Sequence, residues 1–260
     1  MLDFTTSDGA VLAYDDRGPR GSLPLLFVHG WQGASSGWDL VRDALSPHHR
    51  SIAIDLRGFG GSNAAPGPYS VDTFANDLSD VLAYLDLDPL VVIGHSMGAA
   101  VAQRFAIDRP DAVEGLVLVA PVPASGVLFP PKIEAMFRGT AGNPEAANTW
   151  LGKLTYREPP REIVASLRAA AAAVSAHVAL ESFDSWTQLA FEEDARTIAT
   201  PTLVVAPAED RPMTPAFARE RVADVIDGSR LEIVAESGHY VPVDQPVRLA
   251  ALIEEFVASL

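Results

Sequence analysis

No cysteine occurs in the 260 residues, so disulfides, iron–sulfur clusters and thiolate zinc sites are excluded. Lysine is nearly absent too: Lys132 and Lys153 are the only two, which leaves little room for Schiff-base chemistry. Positive charge is scarce overall. Lys and Arg number 19 against 34 Asp and Glu, a net charge of −15, and such a chain repels phosphate backbones and anionic lipid. Neither nucleic acid nor membrane is therefore expected as a partner. No apolar run approaches the roughly 18 residues of a membrane span. The opening MLDFTTSDGA has neither the basic start nor the apolar stretch of a secretory signal. These absences lead us to expect a soluble, cytoplasmic protein. No group of side chains shows metal-ligand spacing, so neither a metal nor another cofactor is expected.

What is present suffices for one substantial core. Hydrophobic residues make up 48% and charged ones 20%, over a length that suits one domain, or one domain with a large insertion. Short apolar runs recur at Leu25–Val28, Ile52–Leu56, Leu90–Ile93, Leu116–Ala120, Leu203–Ala206 and Leu231–Ala235. Most are apolar throughout, the pattern of strands buried on both faces. Helical periods lie between them. Val71, Phe74, Leu78, Val81 and Leu85 step by three or four. Pro246 opens a last helix with Leu249, Leu252, Ile253, Phe256 and Leu260 on one side. The alternation predicts an α/β fold, a mostly parallel central sheet flanked by helices. "GAVLAYDDRG" (9–18) reads instead as an antiparallel edge hairpin.

From about Pro121 to Thr200 no strand is evident. Stretches such as "PKIEAMFRG" (131–139) and "REIVASLRAAAAAVSAHVAL" (161–180) are helical, and Pro130-Pro131 and Pro159-Pro160 punctuate them. We expect residues 126–197 to form a helical cap, inserted into a core made of 1–125 and 198–260. Such an insertion would lie over the C-terminal edge of the strands, where open α/β sheets bind ligands.

In "VVIGHSMGAAVAQRF" (91–105) only Gly94-His95-Ser96-Met97-Gly98 separates a strand from a helix. This G-x-S-x-G in a strand–turn–helix is a nucleophile elbow, which holds Ser96 in a strained turn with its oxygen exposed. Gly94 and Gly98 remove side chains that would clash there. A serine nucleophile needs a base, and six histidines compete. His95 adjoins Ser96 but points away and packs beneath the site. His48 and His49 precede a strand at its far edge, His177 lies in the insertion, and His29 ends "LLFVHG", where it braces a loop. His239, in "AESGHYVPVDQP", follows the last strand on a loop free to reach Ser96, and it is the expected general base. The orienting carboxylate comes from "TLVVAPAEDRPMTP", where the common spacing favours Asp210 and leaves Glu209 facing solvent. The place after the preceding strand, Ala120-Pro121-Val122-Pro123, offers no acid. The oxyanion donors should be the backbone N–H groups of Met97 and Trp31.

Through His29-Gly30-Trp31, "DLRGFGGS" (55–62), "GHSMG" (94–98), "AED" (208–210) and "SGHYVPVDQP" (237–246), the chain resembles the α/β-hydrolase fold family, in its small, lidded serine esterase and lactonase form. The order Ser96, Asp210, His239 agrees with that family. The resemblance covers both halves of the expected core, and the insertion carries no family motif. It implies metal-free hydrolysis of carboxylic esters through an acyl-serine. Lactonase, meta-cleavage carbon–carbon hydrolase and cofactor-free perhydrolase are alternatives on the same triad, and a small-molecule receptor of this fold is a remoter one. Serine argues against the haloalkane dehalogenases and epoxide hydrolases of this fold, which use aspartate there. "RGFGGS" lacks the spacing of a dinucleotide fingerprint, because Asn63 stands at the third glycine's place, and it reads as a turn.

The resemblance leaves the substrate open. A small ester or lactone is the expected partner, with the chain as monomer or homodimer. Trp31, Phe129, Met136, Phe137, Trp150, Phe183 and Trp186 are candidates for an apolar acyl pocket, with Leu154 and Tyr156 beside them. Cap helices need apolar residues merely to pack, so the sequence does not say which of them face a cavity. Arg57, Arg104 and Arg211 have no clear reason to face the site, and Lys132, Arg138, Lys153, Arg157, Arg161 and Arg168 read as a solvated face. Carbon–carbon cleavage needs cationic help for a delocalised anion. The expected order is therefore esters, then lactones, then carbon–carbon bonds.

Overall fold

The computed structural model describes residues 1–211 and 213–260. Its strands are β1 (Leu2–Thr5), β2 (Val11–Arg17), β3 (Leu25–Val28), β4 (Ser51–Ile54), β5 (Leu90–His95), β6 (Val113–Val119), β7 (Thr202–Pro207) and β8 (Arg230–Val234). They form one sheet in the order β1-β2-β4-β3-β5-β6-β7-β8. The β1–β2 hairpin stands antiparallel at one edge, and β2 also pairs antiparallel with β4. Every other neighbour is parallel.

The unbroken apolar runs follow from burial on both faces. Leu26, Val28, Ile52, Ile54, Val92, Leu116 and Leu118 point into one core layer, whereas Leu25, Phe27, Ala53, Val91, Ile93, Val117 and Val119 point into the other. The helices supply the two covers. They are α1 (Asp39–Ala44), α2 (Val71–Leu85), α3 (Met97–Asp108), α4 (Pro131–Arg138), α5 (Pro144–Leu151), α6 (Arg161–Ala173), α7 (Ala176–Thr187), α8 (Glu192–Ala195), α9 (Pro215–Ala218), α10 (Val241–Asp244) and α11 (Pro246–Val257). Phe74 and Leu78 of α2 join Val101 and Phe105 of α3 in the first layer, and Val41 of α1 joins Leu249, Ile253 and Phe256 of α11 in the second. Pro246 does open α11, but the helix ends at Val257, so Leu260 lies past it. No single helix among the described residues is long and apolar enough to cross a membrane.

Five helices, α4 to α8, fill the interval between β6 and β7, with no strand among the described residues there. Side chains and backbone tie them to the core. Glu181 on α7 accepts from the N–H of Tyr69 (2.9 Å) and Ser185 from that of Val71 (2.9 Å), at the start of α2. Gln32 Nε2 donates to Thr140 Oγ1 just past α4 (2.8 Å). The "RGFGGS" segment is a turn built around Asp55, whose carboxylate accepts from the N–H of Ser35 (2.6 Å) and of Gly61 (2.7 Å). Arg57 is buried there against Asp77 and Asp8.

Candidate active site

β5 ends at His95 and α3 begins at Met97, so Ser96 alone makes the turn, at φ 55° and ψ −118°. A side chain at positive φ is strained, and such strain persists only where the surroundings fix it. Two close approaches do so. A Cβ on Gly94 would lie 2.3 Å from the carbonyl oxygen of Gly98, and one on Gly98 would lie 2.4 Å from that of Val28. The helix can therefore press against the ends of β5 and β3 only because both residues lack a side chain. Ser96 Oγ does not cap α3 and is free to turn outward.

It turns to His239. Nε2 of His239 lies 2.9 Å from Ser96 Oγ, and Nδ1 lies 2.7 Å from Asp210 Oδ2. A carboxylate oxygen accepts, so Nδ1 carries the ring proton and Nε2 is left to accept from the serine hydroxyl. The second oxygen of Asp210 accepts from the N–H of Met213 (3.3 Å). Ser96, Asp210 and His239 are all buried, a setting that strengthens each bond in the line. Glu209, by contrast, is exposed.

The other histidines lie where the sequence puts them. His95 donates from Nε2 to the carbonyl of His239 (2.9 Å), and its ring packs 5.1 Å from those of His239 and Tyr240. Burial, helped by the neighbouring His239, pushes the His95 pKa down to about 3, so it is a neutral donor behind the base. His29 accepts from the N–H of Leu56 at Nε2 (3.1 Å), so Nδ1–H donates to the carbonyl of Gly30 (2.8 Å). Burial lowers its pKa as well. It braces the loop that carries Trp31. The backbone N–H groups of Trp31 and Met97 donate to no protein acceptor among the described residues.

A narrow pocket, with about 60 Å³ of room at its centre, leads to Ser96 and His239. Trp31, Phe137, Trp150 and Trp186 line it, as does Leu154, and among the described residues no Asp, Glu, Lys or Arg appears in its walls. Four candidates do not reach it. Phe129 and Phe183 form a layer behind Phe137, with ring centroids 4.9 and 5.7 Å from it. Met136 faces a separate shallow hollow beside α5. Tyr156 is exposed as well. Residues the sequence reading left out take their place: Thr140, Ala147, Leu151, Leu167, Ala171, Met213 and Tyr240, with Gln32. Gln32 and Tyr240 adjoin Trp31 and His239 in the chain, a signal that could have found them. The indole N–H of Trp31 donates to the Ala179 carbonyl (3.0 Å) and Ser182 Oγ (3.2 Å), whereas those of Trp150 and Trp186 are buried without a partner among the described residues. Among the described residues no three His, Asp or Glu side chains are grouped to hold a metal ion.

A family model described as the alpha/beta hydrolase family matches residues 25–252. The non-heme chloroperoxidase CPO-A1 of Kitasatospora aureofaciens is 27% identical over 253 residues, 90% of each chain. An esterase from Exiguobacterium antarcticum superposes with a TM-score of 0.89 at 21% identity, over 99% of both chains. A meta-cleavage product hydrolase does so with a TM-score of 0.84 at 22% identity, over 100% of this chain and 98% of that one. Likenesses at such identity speak for the fold and not for the substrate.

Proposed function

The chain belongs to the alpha/beta hydrolase family, and from that premise we propose that it hydrolyses carboxylic esters through an acyl-serine. The observation that carries this reading is the unbroken hydrogen-bonded line Asp210–His239–Ser96 at the floor of the pocket. Ser96 Oγ attacks the ester carbonyl while its proton passes to His239 Nε2. Asp210 holds the imidazole in the tautomer that can accept it and stabilises the imidazolium that forms. The carbonyl oxygen, now an anion, accepts from the N–H groups of Trp31 and Met97, and one such donor is worth about 10²–10³ in rate. Collapse expels the alcohol, which takes the proton back from His239. Water then repeats the sequence on the acyl-enzyme and releases the acid.

The character of the pocket favours a neutral substrate. Among the described residues its lining holds no Asp, Glu, Lys or Arg. A charged group buried there without a partner would lose its hydration with nothing in return. Ring-fission products carry a carboxylate and pass through a delocalised anion, so esters of short to medium acyl chains rank first, lactones second and carbon–carbon bonds third. A p-nitrophenyl ester series, several lactones and a ring-fission dienone given to one preparation test the order. Fast turnover of the dienone with negligible ester hydrolysis would overturn it. Phenylmethylsulfonyl fluoride is expected to add one group per chain, at Ser96, and a label mapped to another residue rejects the nucleophile.

A further inference from the structure

His239 is followed by Tyr240 and the single turn of α10, whose last residue, Asp244, folds back under the loop it came from. Its Oδ2 accepts from the backbone N–H of Gly238 (2.9 Å) and of Tyr156 (2.8 Å), and its Oδ1 lies 3.4 Å from the N–H of Arg157. One carboxylate thus joins the residue just before His239 to the connection between α5 and α6. The residue just after His239 is held by the same connection, because Tyr240 N–H donates to the Leu154 carbonyl (3.1 Å). Gly238 lets the two segments lie this close: a Cβ there would stand 2.7 Å from the Leu154 oxygen and 3.0 Å from Tyr156 N. The backbone of residues 238 to 240 is pinned at each position, the middle one through the bond from His95 to the His239 carbonyl.

Two constraints on the imidazole can therefore be separated. Asp210 fixes how the ring is turned, but only the backbone fixes where it stands relative to Ser96. We propose that Asp244 is a positioning residue for His239, and that Leu154–Arg157 acts as a fixed strut of the base rather than as part of a moving lid. This rests on the reading of His239 as general base. A carboxylate suits the task because it offers two acceptor oxygens to three N–H donors. An amide of the same shape would turn an NH₂ group toward at least one of them. The exposed ion pair between Arg157 and Glu236 covers the strut from outside, and pairs so exposed contribute little.

The test compares the intact protein with Asp244→Asn, Asp244→Ala, Gly238→Ala and Arg157→Gln. A displacement of about 1 Å at a reacting group costs on the order of 10² in rate. The Asp244 variants are therefore expected to lose about 10- to 100-fold in kcat on p-nitrophenyl acetate, with KM within about threefold. Gly238→Ala, which pushes the strut away from the other side, should give the same split even if an Asp244 variant does not fold. Arg157→Gln should stay within about twofold. Two readouts do not depend on ester turnover. They are the rate at which a fluorophosphonate labels Ser96, and the downfield NMR proton of the His239–Asp210 bond, expected to broaden in the Asp244 variants. Folded Asp244 variants with wild-type kcat, or with only KM raised, overturn the proposal. A wild-type protein that shows the downfield proton and its response to Asp244, yet turns over no ester, leaves the strut standing and rejects the proposed reaction.

Discussion

The wall of the pocket that carries Ser96 and His239 and the wall that α4 to α7 contribute face one another, but they are held by different forces. On the first, Ser96, His239 and His95, with Asp210 and His29 behind them, each have a hydrogen-bond partner within 2.9 Å. On the second, Phe137 stands within 4.8 to 5.9 Å of the rings of Trp150, Phe129, Phe183 and Trp31, and two indole N–H groups have no partner among the described residues. Hydrogen bonds demand a particular atom at a particular place, whereas apolar packing demands volume and shape. The first wall is therefore expected to tolerate substitution poorly, and the second to accept changes of volume and shape.

The sharpest way to break that contrast is at the nucleophile. Ser96→Ala is expected to lower kcat by roughly 10⁴–10⁶ with folding intact, as triad deletions do, and a substantial residual esterase rate would place the reaction elsewhere. Next comes the acid. Asp210→Asn should cost about 10⁴ in kcat through the wrong imidazole tautomer, whereas Glu209→Gln, at an exposed carboxylate, should change little. Reversed effects in the two purified variants would make Glu209 the orienting group. On the opposite wall the signature should differ in kind. Phe137→Ala should destabilise the protein by about 3–5 kcal/mol and shift the chain-length preference, with kcat on the acetate ester within about tenfold. A loss on acetate as large as that of Asp210→Asn would erase the distinction between the walls.

The smallest effect is one of acid stability. The His95 pKa of about 3 in the fold lies below its ordinary value of 6.5, because burial disfavours the charged ring. Between those values the unfolded chain holds more protons than the folded one. The contribution is thus complete above pH 6.5 and is lost as the pH falls toward 3. His95→Gln keeps a donor for the His239 carbonyl but does not titrate. Its urea midpoint should fall less steeply between pH 7 and 4 than that of the wild type (the window set by the shift). Parallel curves would show that His95 is not the source.

The same division explains what could be read from the chain alone. The sheet, the hairpin and the positions of Ser96, His239 and Asp210 are local matters: an apolar run, a turn, and the first residues past a strand end. Gly94 and Gly98 mark the sharp turn because no other residue fits there, and that requirement is written in five consecutive letters. Phe129, Met136 and Phe183 miss the pocket although Phe137 and Trp186 reach it. Which face of a helix meets a cavity depends on how neighbouring helices rotate it, and nothing in "PKIEAMFRG" records that. Asp244 lies inside a stretch that attracts notice for His239. Its partners at Tyr156 and Arg157 come from a segment without any motif, so its role became visible only when the two were brought together.

The lining of the pocket, uncharged among the described residues, also bears on product release in the proposed reaction. In the proposed reaction a neutral ester enters an apolar chamber cheaply, but cleavage would leave an acid that ionises at neutral pH, with no Lys or Arg in the lining among the described residues and an overall charge of −15 around it. The chamber that welcomes the reactant is thus inhospitable to what it becomes. Release of the carboxylate formed in the proposed reaction would be favoured and its re-entry opposed by that charge.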